Sequence, residues 1–586
     1  MKPKLKSTQV MRSKILILSL LSNFLFSQSR MNLGFENVSD NNKMLKWRSN
    51  KKNQSIEIDT LVKFEGNRSL KITGESISSD DKNDFAVVMQ KIQKKYLNGK
   101  EFVLKARIKS KSNFDGAAFP YLRTLDKDKK NVSFLNQQDK PVKGNTDWQE
   151  VTIKIPILEN VENLDFGFVY KGKGIAWFDK VEILLDGKPI EKPVKELTPE
   201  HITAIKKYVY PLSSFEPTSS DNTDLEILKT LVGSSKVVAL GEATHGTSEI
   251  YKMKDRLTRY LVKNHKFDIF SLEAYMQQAY LANDYTIKNT ATLNEALQNL
   301  VFFVWKTEEM STMLQWMKQY NNGSQKILFT GFDMQDATEP IKQLYEAFSE
   351  DKDIVKKIEK LSSTVKEFAY ENRGNIKSYI LKKEQADIIY PIIAELKTKI
   401  NKNSKFSTND KSWQTQNVRI IEQLLEKSSI NRDKFMAENF LWIKEHNPNS
   451  KFIISAHNGH VNTVKNRMGK FLKDKLQNDY KTFGFAFFDG EYTARGTKDK
   501  MLATQTAQKP YLGTYEYWMN SLNVPYFILD LNEMKKDNDL SWLVSDLDFR
   551  SVGHTKLLNE FYQTDISDNY DYLIFINKST SAKRLE

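Results

Sequence analysis

Two short segments of the chain place carboxylate and imidazole side chains close together. VVALGEATHGTSEI carries Glu242 and His245 between two glycines, and SAHNGHV carries His457 and His460. A neutral imidazole near pH 7 can take a proton from water, and a carboxylate beside it can orient the ring. These residue types and spacings indicate acid–base chemistry on an activated water.

Two further acids end apolar runs in the same part of the chain. Glu273 closes FDIFSLE, and Asp333 closes KILFTGFD. Carboxylates and imidazoles are also ligands of divalent metals, so the residues alone leave a metal-dependent hydrolase open as an alternative. Each acid could also cap a helix, with Thr244 or Ser248 as the N-cap after the first run.

The elements that must position these side chains are short buried strands. Apolar runs at 236–241, 267–273, 326–333 and 451–457 alternate with long helical stretches, which predicts an α/β domain with a mostly parallel sheet. Ligands bind outside the carboxyl ends of such strands, where these acids and histidines fall. Gly241 and Gly246 are expected to let the backbone approach a ligand closely.

The remaining runs complete the predicted domain organisation. Further strands are expected at 481–490, 525–531 and 570–576, and the absence of strand signals at about 340–445 predicts an inserted helical subdomain. Residues 31–187 show period-two patterning with frequent turns, which predicts an all-β, jelly-roll-like sandwich. We therefore expect a sandwich at 31–187, a linker at 188–205 and the α/β domain at 206–586.

Composition narrows the classes of function. The formal charge is +14, and five of the basic residues fall within the first fourteen. The other charges form no basic face, so nucleic-acid binding is not expected. There is no cysteine, which excludes disulfides and thiolate chemistry. The run ILILSLLSNFLF predicts a signal peptide over residues 1–28 and a secreted or periplasmic protein without stable membrane insertion.

The motifs of the α/β part resemble the erythromycin esterase family. They are GEATHGTSE, FSLE, VWKTEEM, GFDMQ, RDKFMAENFLWI and AHNGHV, and the resemblance covers roughly residues 200–580. It implies a metal-independent hydrolase without a cofactor, which cleaves a small ester or lactone with an activated water. Characterised members open macrolide lactones and confer antibiotic resistance. No G-x-S-x-G elbow is present, which argues against a serine nucleophile.

The resemblance also implies roles for single residues. His245 would be the general base, with Glu242 as its neighbour, and Glu273, His457 and His460 would be further active-site residues. The other positions that match family motifs are Asp333, Glu309, Arg432 and Asp433. Where the family has an arginine on the first helix, this chain has Lys254, followed by Arg256. His457 or His460, together with Lys254 or Arg256, could stabilise the oxyanion.

The N-terminal part is similar to the galactose-binding-like sandwiches that accompany many secreted enzymes. The similarity rests on NLGFE, GNRSLKI, YLNGKEFVLKARIKS and GIAWFDKVEILLDG. It implies a glycan as a partner of this module. A second alternative for the whole chain is therefore a non-enzymatic protein that binds a small ligand, haem or a glycan. His554, in SVGHT, is left unassigned.

Overall fold

The computed structural model describes residues 31–38, 44–51, 53–75, 85–190, 196–373, 378–429, 431–497 and 501–585. The predicted signal peptide at residues 1–28 lies outside the described residues. Within the described ranges, no helix combines the length and the apolar character needed to span a membrane. The chain divides into two compact units, Met1–Glu36 with Lys46–Val194 and Asn37–Leu45 with Lys195–Glu586.

The first unit consists of antiparallel strands. Among its described residues these are β1 (Arg48–Asn50), β2 (Gln54–Asp59), β3 (Ser69–Gly74), β4 (Phe85–Gln93), β5 (Glu101–Lys111), β6 (Ala117–Leu125), β7 (Asn131–Asn136), β8 (Val142–Lys143), β9 (Thr146–Pro156), β10 (Asn163–Lys171), β11 (Gly174–Leu185) and β12 (Lys188–Pro189). They form one sheet in the order β1-β4-β10-β6-β7, with β8 beside β6. The other sheet has the order β2-β3-β11-β5-β9, with β12 beside β11.

The two sheets pack face to face, as an all-β sandwich requires. Strand β5 alternates buried and partly buried residues along its length, so that one face points into the core. Aromatic rings fill the space between the sheets. The Phe166 ring lies 5.9 Å from that of Phe102, and the Phe168 ring lies 4.8 Å from that of Phe178. The predicted sandwich is confirmed.

The second unit is built on one mixed sheet. Its described strands are β13 (Val209–Pro211), β14 (Val237–Leu240), β15 (Ile269–Tyr275), β16 (Leu328–Asp333), β17 (Phe452–Ser455), β18 (Tyr480–Arg495), β19 (Leu502–Thr506), β20 (Tyr526–Asp530), β21 (Leu547–Arg550), β22 (Phe561–Thr564) and β23 (Tyr572–Ser579). The sheet order is β13-β20-β23-β18-β14-β17-β15-β16, with β19 beside β18; β21 and β22 pair separately.

The central strands of this sheet run parallel, and β20 is antiparallel to both of its neighbours. Strand β14 is buried on both faces, because Val238 and Leu240 join one apolar core while Val237 and Ala239 join another. This is the environment that a continuous apolar run predicts. The predicted mostly parallel sheet is confirmed.

Helices cover both faces of the sheet. The described ones are α1 (Pro199–Ile205), α2 (Leu228–Val232), α3 (Ser248–His265), α4 (Met276–Tyr280), α5 (Ala282–Thr286), α6 (Leu293–Asn299), α7 (Glu308–Asn321), α8 (Thr338–Ala347), α9 (Lys352–Glu371), α10 (Lys383–Lys402), α11 (Thr408–Leu425), α12 (Asn431–His446), α13 (Asn458–Val461), α14 (Met468–Leu476), α15 (Tyr515–Asn520), α16 (Leu531–Met534) and α17 (Ile566–Asn569).

Helices α8 to α12 form the predicted insertion between β16 and β17. Helices α8 to α11 enclose an apolar core of their own, which includes Leu361, Leu396 and Leu424. The predicted linker at 188–205 contains β12 at one end and α1 at the other, and residues 191–195 are not described.

Candidate active site

The loop after β14 is shaped by close backbone packing. A Cβ on Gly241 would lie 2.1 Å from Asn458 Oδ1, and a Cβ on Gly246 would lie 2.1 Å from the Thr493 carbonyl oxygen. Such distances leave no room for a side chain, so both positions require glycine. The groups that these glycines admit belong to the protein itself, and the expected close approach of a ligand stays a prediction.

The start of α3 shows that the acid and imidazole of this loop are not part of a helix cap. The N-cap residue is Thr247, which makes no side-chain capping hydrogen bond. The Ser248 hydroxyl donates instead to Glu309 Oε1 at 2.5 Å, and the Thr244 hydroxyl lies 2.6 Å from that of Thr247. Capping by Thr244 or Ser248 is therefore not observed.

Glu242 is fully buried and lies between an imidazole and an ammonium group. His245 Nδ1 lies 2.6 Å from its Oε1, and Lys254 Nζ lies 2.6 Å from its Oε2. An ionised carboxylate only accepts hydrogen bonds, so Nδ1 carries a proton and donates it. Burial raises the pKa of Glu242, but Lys254 and His245 outweigh burial and hold that pKa below its usual range. The neutral His245 ring then has its lone pair on Nε2.

The His245 ring is held on several sides. Trp305 meets it edge-on with ring centroids 6.3 Å apart, and the His457 ring lies 4.9 Å away. The backbone of Gly553 is also close, since a Cβ there would lie 3.9 Å from His245 Cδ2. The side chain remains 13% exposed, so one edge of the ring is accessible to water. Within the described part of the chain, Nε2 has no hydrogen-bond partner.

His457 follows β17 and has both ring nitrogens occupied. The Gly459 amide donates to Nδ1 at 3.0 Å, and Nε2 donates to the Val552 carbonyl at 3.2 Å. This pattern fixes a neutral tautomer with the proton on Nε2. Burial, followed by the nearby His245, lowers the pKa of His457 to about 3. His457 is thus a neutral side chain that supports the His245 ring.

His460 lies in the opposite electrostatic environment. Its Nδ1 is 2.8 Å from Asp433 Oδ1, and its Nε2 is 3.3 Å from Glu273 Oε1. Burial lowers the pKa of His460, but the two carboxylates outweigh burial and raise it to about 9. Both ring nitrogens are then protonated at neutral pH. His460 is a fixed cation rather than a base.

Arg432, in the first turn of α12, joins two strand ends. Its Nη2 lies 2.8 Å from Glu273 Oε1 in β15 and 2.8 Å from Asp333 Oδ2 in β16. Burial raises the pKa of Glu273, but His460 and Arg432 hold it well below its usual range. Burial lowers the pKa of Arg432, and the two carboxylates raise it by more, so that the guanidinium stays charged.

Two side chains with expected supporting roles lie elsewhere. Arg256 does not join the cluster: it is almost fully buried, and its guanidinium bonds Asp224 at 2.7 and 2.9 Å and the Ser214 carbonyl at 2.6 Å. Residues two apart on a helix face different sides, so only Lys254 can reach Glu242. Glu309 lies behind the site, where it accepts hydrogen bonds from Ser248 and from the Lys583 amide.

The structure adds Trp305, Phe303 and Arg495, to which the sequence analysis assigned no role, and it shows the surroundings of His554. Trp305 donates its indole N–H to the Glu273 carbonyl at 3.0 Å while its ring meets His245. The His554 ring lies 6.4 Å from that of Phe303, and the Arg495 guanidinium lies 5.0 Å from the Phe303 ring centroid. Trp305, Phe303 and His554 occupy turns and loops, and Arg495 is the last residue of β18, so no periodic pattern marks them.

Burial lowers the pKa of His554, and His245, Arg495 and Arg432 lower it further. His554, which the sequence left unassigned, therefore lies close enough to His245 for the two side chains to interact electrostatically.

A segment near the end of the described chain holds the loop that carries His245 in place. The Ala582 amide donates to the Gly246 carbonyl at 2.8 Å, and the Ser248 amide donates to the Thr580 carbonyl at 3.0 Å. The same segment reaches the turn that carries Trp305, because the Glu308 amide donates to the Lys583 carbonyl at 2.7 Å. Residues 580–585 thereby connect the His245 loop to the Trp305 turn.

The carboxylates of the site form ion pairs with lysine and arginine side chains of the protein. Lys254 pairs with Glu242, and Arg432 pairs with both Glu273 and Asp333. In the described ranges, no group of three or more histidine, aspartate and glutamate side chains is arranged to hold a metal ion. A divalent ion would have to displace a buried lysine or arginine, so the cluster does not fit the metal-dependent alternative.

Comparisons with known proteins find relatives that are named as hydrolases. The putative hydrolase YbfO of Bacillus subtilis (strain 168) is 23% identical over 421 residues, which cover 64% of this chain and 91% of that protein. An erythromycin esterase type II of Escherichia coli is 24% identical over 310 residues, which cover 46% of this chain and 73% of the relative.

A solved structure shows the same fold. It is an erythromycin esterase mutant in its open conformation, with a TM-score of 0.50 and 17% identity, and the match covers 63% of this chain and 97% of that one. The family model for erythromycin esterase matches residues 262–579, more than half of the chain. The strand-end cluster of acids and histidines described above therefore lies in a hydrolase of the erythromycin esterase family, to which this chain belongs.

Proposed function

We propose that the chain hydrolyses a carboxylic ester or lactone, with His245 as the general base that activates water. The observation that carries this proposal is the pairing of His245 Nδ1 with the buried Glu242 carboxylate at 2.6 Å. This bond directs the lone pair of Nε2 toward the partly open edge of the ring. It also stabilises the imidazolium that forms when Nε2 takes a proton.

The reaction is a general-base hydrolysis in two stages. A water between Nε2 and the substrate attacks the carbonyl carbon as its proton passes to His245, which gives a tetrahedral oxyanion. The bond from carbon to the leaving oxygen then breaks, and the imidazolium returns the proton to that oxygen. The products are a carboxylic acid and an alcohol. General-base catalysis of this kind contributes about 10²- to 10⁴-fold to the rate.

The developing negative charge needs a fixed cation close by. Arg432 is charged, and its side chain is 22% exposed, so we assign it the stabilisation of the oxyanion. Protonated His460 adds a second positive charge near Arg432, and it is held in place by its ion pairs with Glu273 and Asp433. His457 was expected to share this role, but it is neutral, and its Nε2 proton is already donated to Val552.

Lys254 acts through Glu242 rather than on the substrate. Its ammonium lies 2.6 Å from Glu242 and is almost fully buried. A lysine supplies a point charge here, whereas an arginine would bind both carboxylate oxygens with a planar fork. Because family membership fixes the chemistry better than the ester, the proposed substrate class is esters or lactones in general, with macrolactones as one member.

The place of action is part of the proposal. The basic residues and the apolar run before Ser27 are typical of a signal for export. We therefore propose a secreted or periplasmic enzyme that acts on a small molecule. A non-enzymatic binder predicts that a ligand is retained without turnover, which the experiment below distinguishes.

The test is a turnover screen of the purified chain against macrolides, simple esters and acylated glycans, with and without a chelator. We expect hydrolysis that the chelator leaves intact and that His245→Asn lowers by about 10³-fold or more. His446→Asn is the matched control, since His446 is an exposed residue at the end of α12. Loss of activity with chelator would favour the metal-dependent alternative. Full activity in His245→Asn would refute the assignment of the base.

A further inference from the structure

A groove of about 370 Å³ lies on the outer face of the sheet β1-β4-β10-β6-β7 in the N-terminal unit. The other face of this sheet belongs to the sandwich core, where Leu122, Phe166 and Phe168 are fully buried. Side chains alternate between the two faces of a strand, so the groove is lined by the residues between these core positions. It is built from regular strands, which hold its shape.

Strand register places apolar side chains in rows across the floor of the groove. Tyr121 in β6 and Met89 in β4 both pair with Gly167 in β10, and the Tyr121 hydroxyl lies 3.1 Å from Met89 Sδ. The next row brings together Phe119 and Val169, which pair directly. Phe119 and Tyr121 are only 4% and 5% exposed. The floor is therefore apolar and well packed.

The rim combines an open aromatic ring with amide groups. Phe134 in β7 is 55% exposed, and its ring lies 6.3 Å from that of Tyr121. The amide side chains of Asn50, Asn136 and Gln138 also line the groove. A sugar ring has an apolar C–H face that packs on an aromatic ring, and hydroxyl pairs that match the donor and acceptor of an amide. An apolar floor with a few polar groups at its edge is typical of a ligand site.

The charged side chains among the described residues that line this groove have one sign. They are Arg123 and Lys171, and no aspartate or glutamate is found among these described lining residues. Arg123 bonds the buried Asp165 through Nε and Nη2, but Lys91 pairs with the same carboxylate at 3.7 Å. Two cations thus share one anion, which leaves an excess positive charge.

We propose that this groove binds a glycan chain that carries carboxylate groups. Phe134 would pack against a sugar ring above the apolar floor, and the amides would bond the hydroxyls. Arg123 and Lys171 would pair with the carboxylates. The proposal does not depend on the hydrolytic activity of the other unit, because every residue that it uses belongs to the sandwich.

The test is isothermal titration calorimetry on the full chain carrying His245→Asn, so that turnover does not interfere. The probes are hexagalacturonate, xylohexaose as a neutral chain of the same length, and galacturonic acid as a free anion. We expect hexagalacturonate to bind at least about tenfold more tightly than either of the other probes, and to bind more weakly as salt is raised.

Two substitutions separate the groove from the rest of the sandwich. Phe134→Ala should weaken hexagalacturonate binding at least about tenfold, because it removes the exposed ring of the rim. Phe114→Ala is the matched control, since Phe114 is 58% exposed and has Lys173 over its ring but does not line the groove. Melting curves should show that both variants are folded.

Several results would overturn the proposal. They are the absence of binding by hexagalacturonate, tighter binding of xylohexaose, equal binding of galacturonic acid, and an equal loss in the two phenylalanine variants.

Discussion

His457 and His460 stand three residues apart and should give the stability of the catalytic unit opposite dependences on pH. Both start from an unfolded-state pKa near 6.5. Folding lowers the pKa of His457 to about 3 and raises that of His460 to about 9. The causes are burial beside His245 for the first histidine and the carboxylates of Glu273 and Asp433 for the second.

The sign of each pH dependence follows from whether the folded or the unfolded state binds more protons. Between pH 3 and 6.5 the unfolded chain protonates His457 and the folded chain does not, so stability rises with pH. Between 6.5 and 9 the folded chain keeps the His460 proton that the unfolded chain has lost, so stability falls with pH. The two contributions together place a maximum near pH 6.5.

The magnitude follows from the same pKa values. At about 1.4 kcal/mol per pKa unit, the full difference is about 5 kcal/mol for His457 and about 3 kcal/mol for His460. Over an accessible range from about pH 5 to about pH 8.5, each histidine should change the free energy of unfolding by roughly 2 kcal/mol. That change is a large fraction of the stability of a typical domain.

The assay is urea unfolding at several pH values, followed by tryptophan fluorescence. We compare the parent chain with His457→Gln and His460→Gln. His457→Gln should flatten the slope on the acid side only, and His460→Gln should flatten the slope on the alkaline side only. Each variant is the control for the other, because a general loss of packing shifts the whole curve without changing its slopes. An alkaline slope that persists in His460→Gln would refute the reasoning.

Two further predictions concern the cations around the cluster. Arg432→Lys should lower kcat by about 10²-fold or more and the free energy of unfolding by about 3 kcal/mol, because a point charge cannot bridge Asp333 and Glu273. Arg256→Lys should lower stability comparably but leave kcat within about twofold, and equal losses of kcat in both variants would contradict the placement of Arg256 outside the site. Lys254→Met should raise the pKa of Glu242, since it removes the strongest counter-charge, and should move the acid limb of the profile of kcat/KM against pH to higher pH. Lys252→Met is its control, because Lys252 pairs with Glu216 at the surface, and an unchanged acid limb in Lys254→Met would show that Glu242 does not depend on this cation.

The fold could be predicted because buried strands and amphipathic helices leave strong patterns in the sequence. VVAL and FIIS are continuous apolar runs, and they became adjacent parallel strands. The rule that parallel strands end at one edge then predicts that Glu242, Glu273 and His457 lie together. Helical geometry alone could also have separated Lys254 from Arg256, which the sequence analysis had treated as alternatives.

The charge states of the site could not be predicted in the same way. His457 and His460 are the same residue type on one short loop, yet one is neutral and the other is cationic. The difference arises because burial beside His245 keeps His457 neutral, whereas the carboxylates of Glu273 and Asp433, which are distant along the chain, keep His460 charged. Contacts of this kind depend on how loops pack, and loops have no periodicity from which packing can be inferred.

The hydrogen bonds between residues 580–585 and the loop at 246–248 have a consequence for biosynthesis. At about 5 to 20 residues per second, a ribosome needs roughly 20 to 70 seconds to travel from His245 to Ala582. During that interval the nascent chain already contains His245, but the backbone partners of the surrounding loop have not been made. Competence for hydrolysis should therefore arise only after β23 and the segment that follows it have been added to a sheet that is otherwise formed.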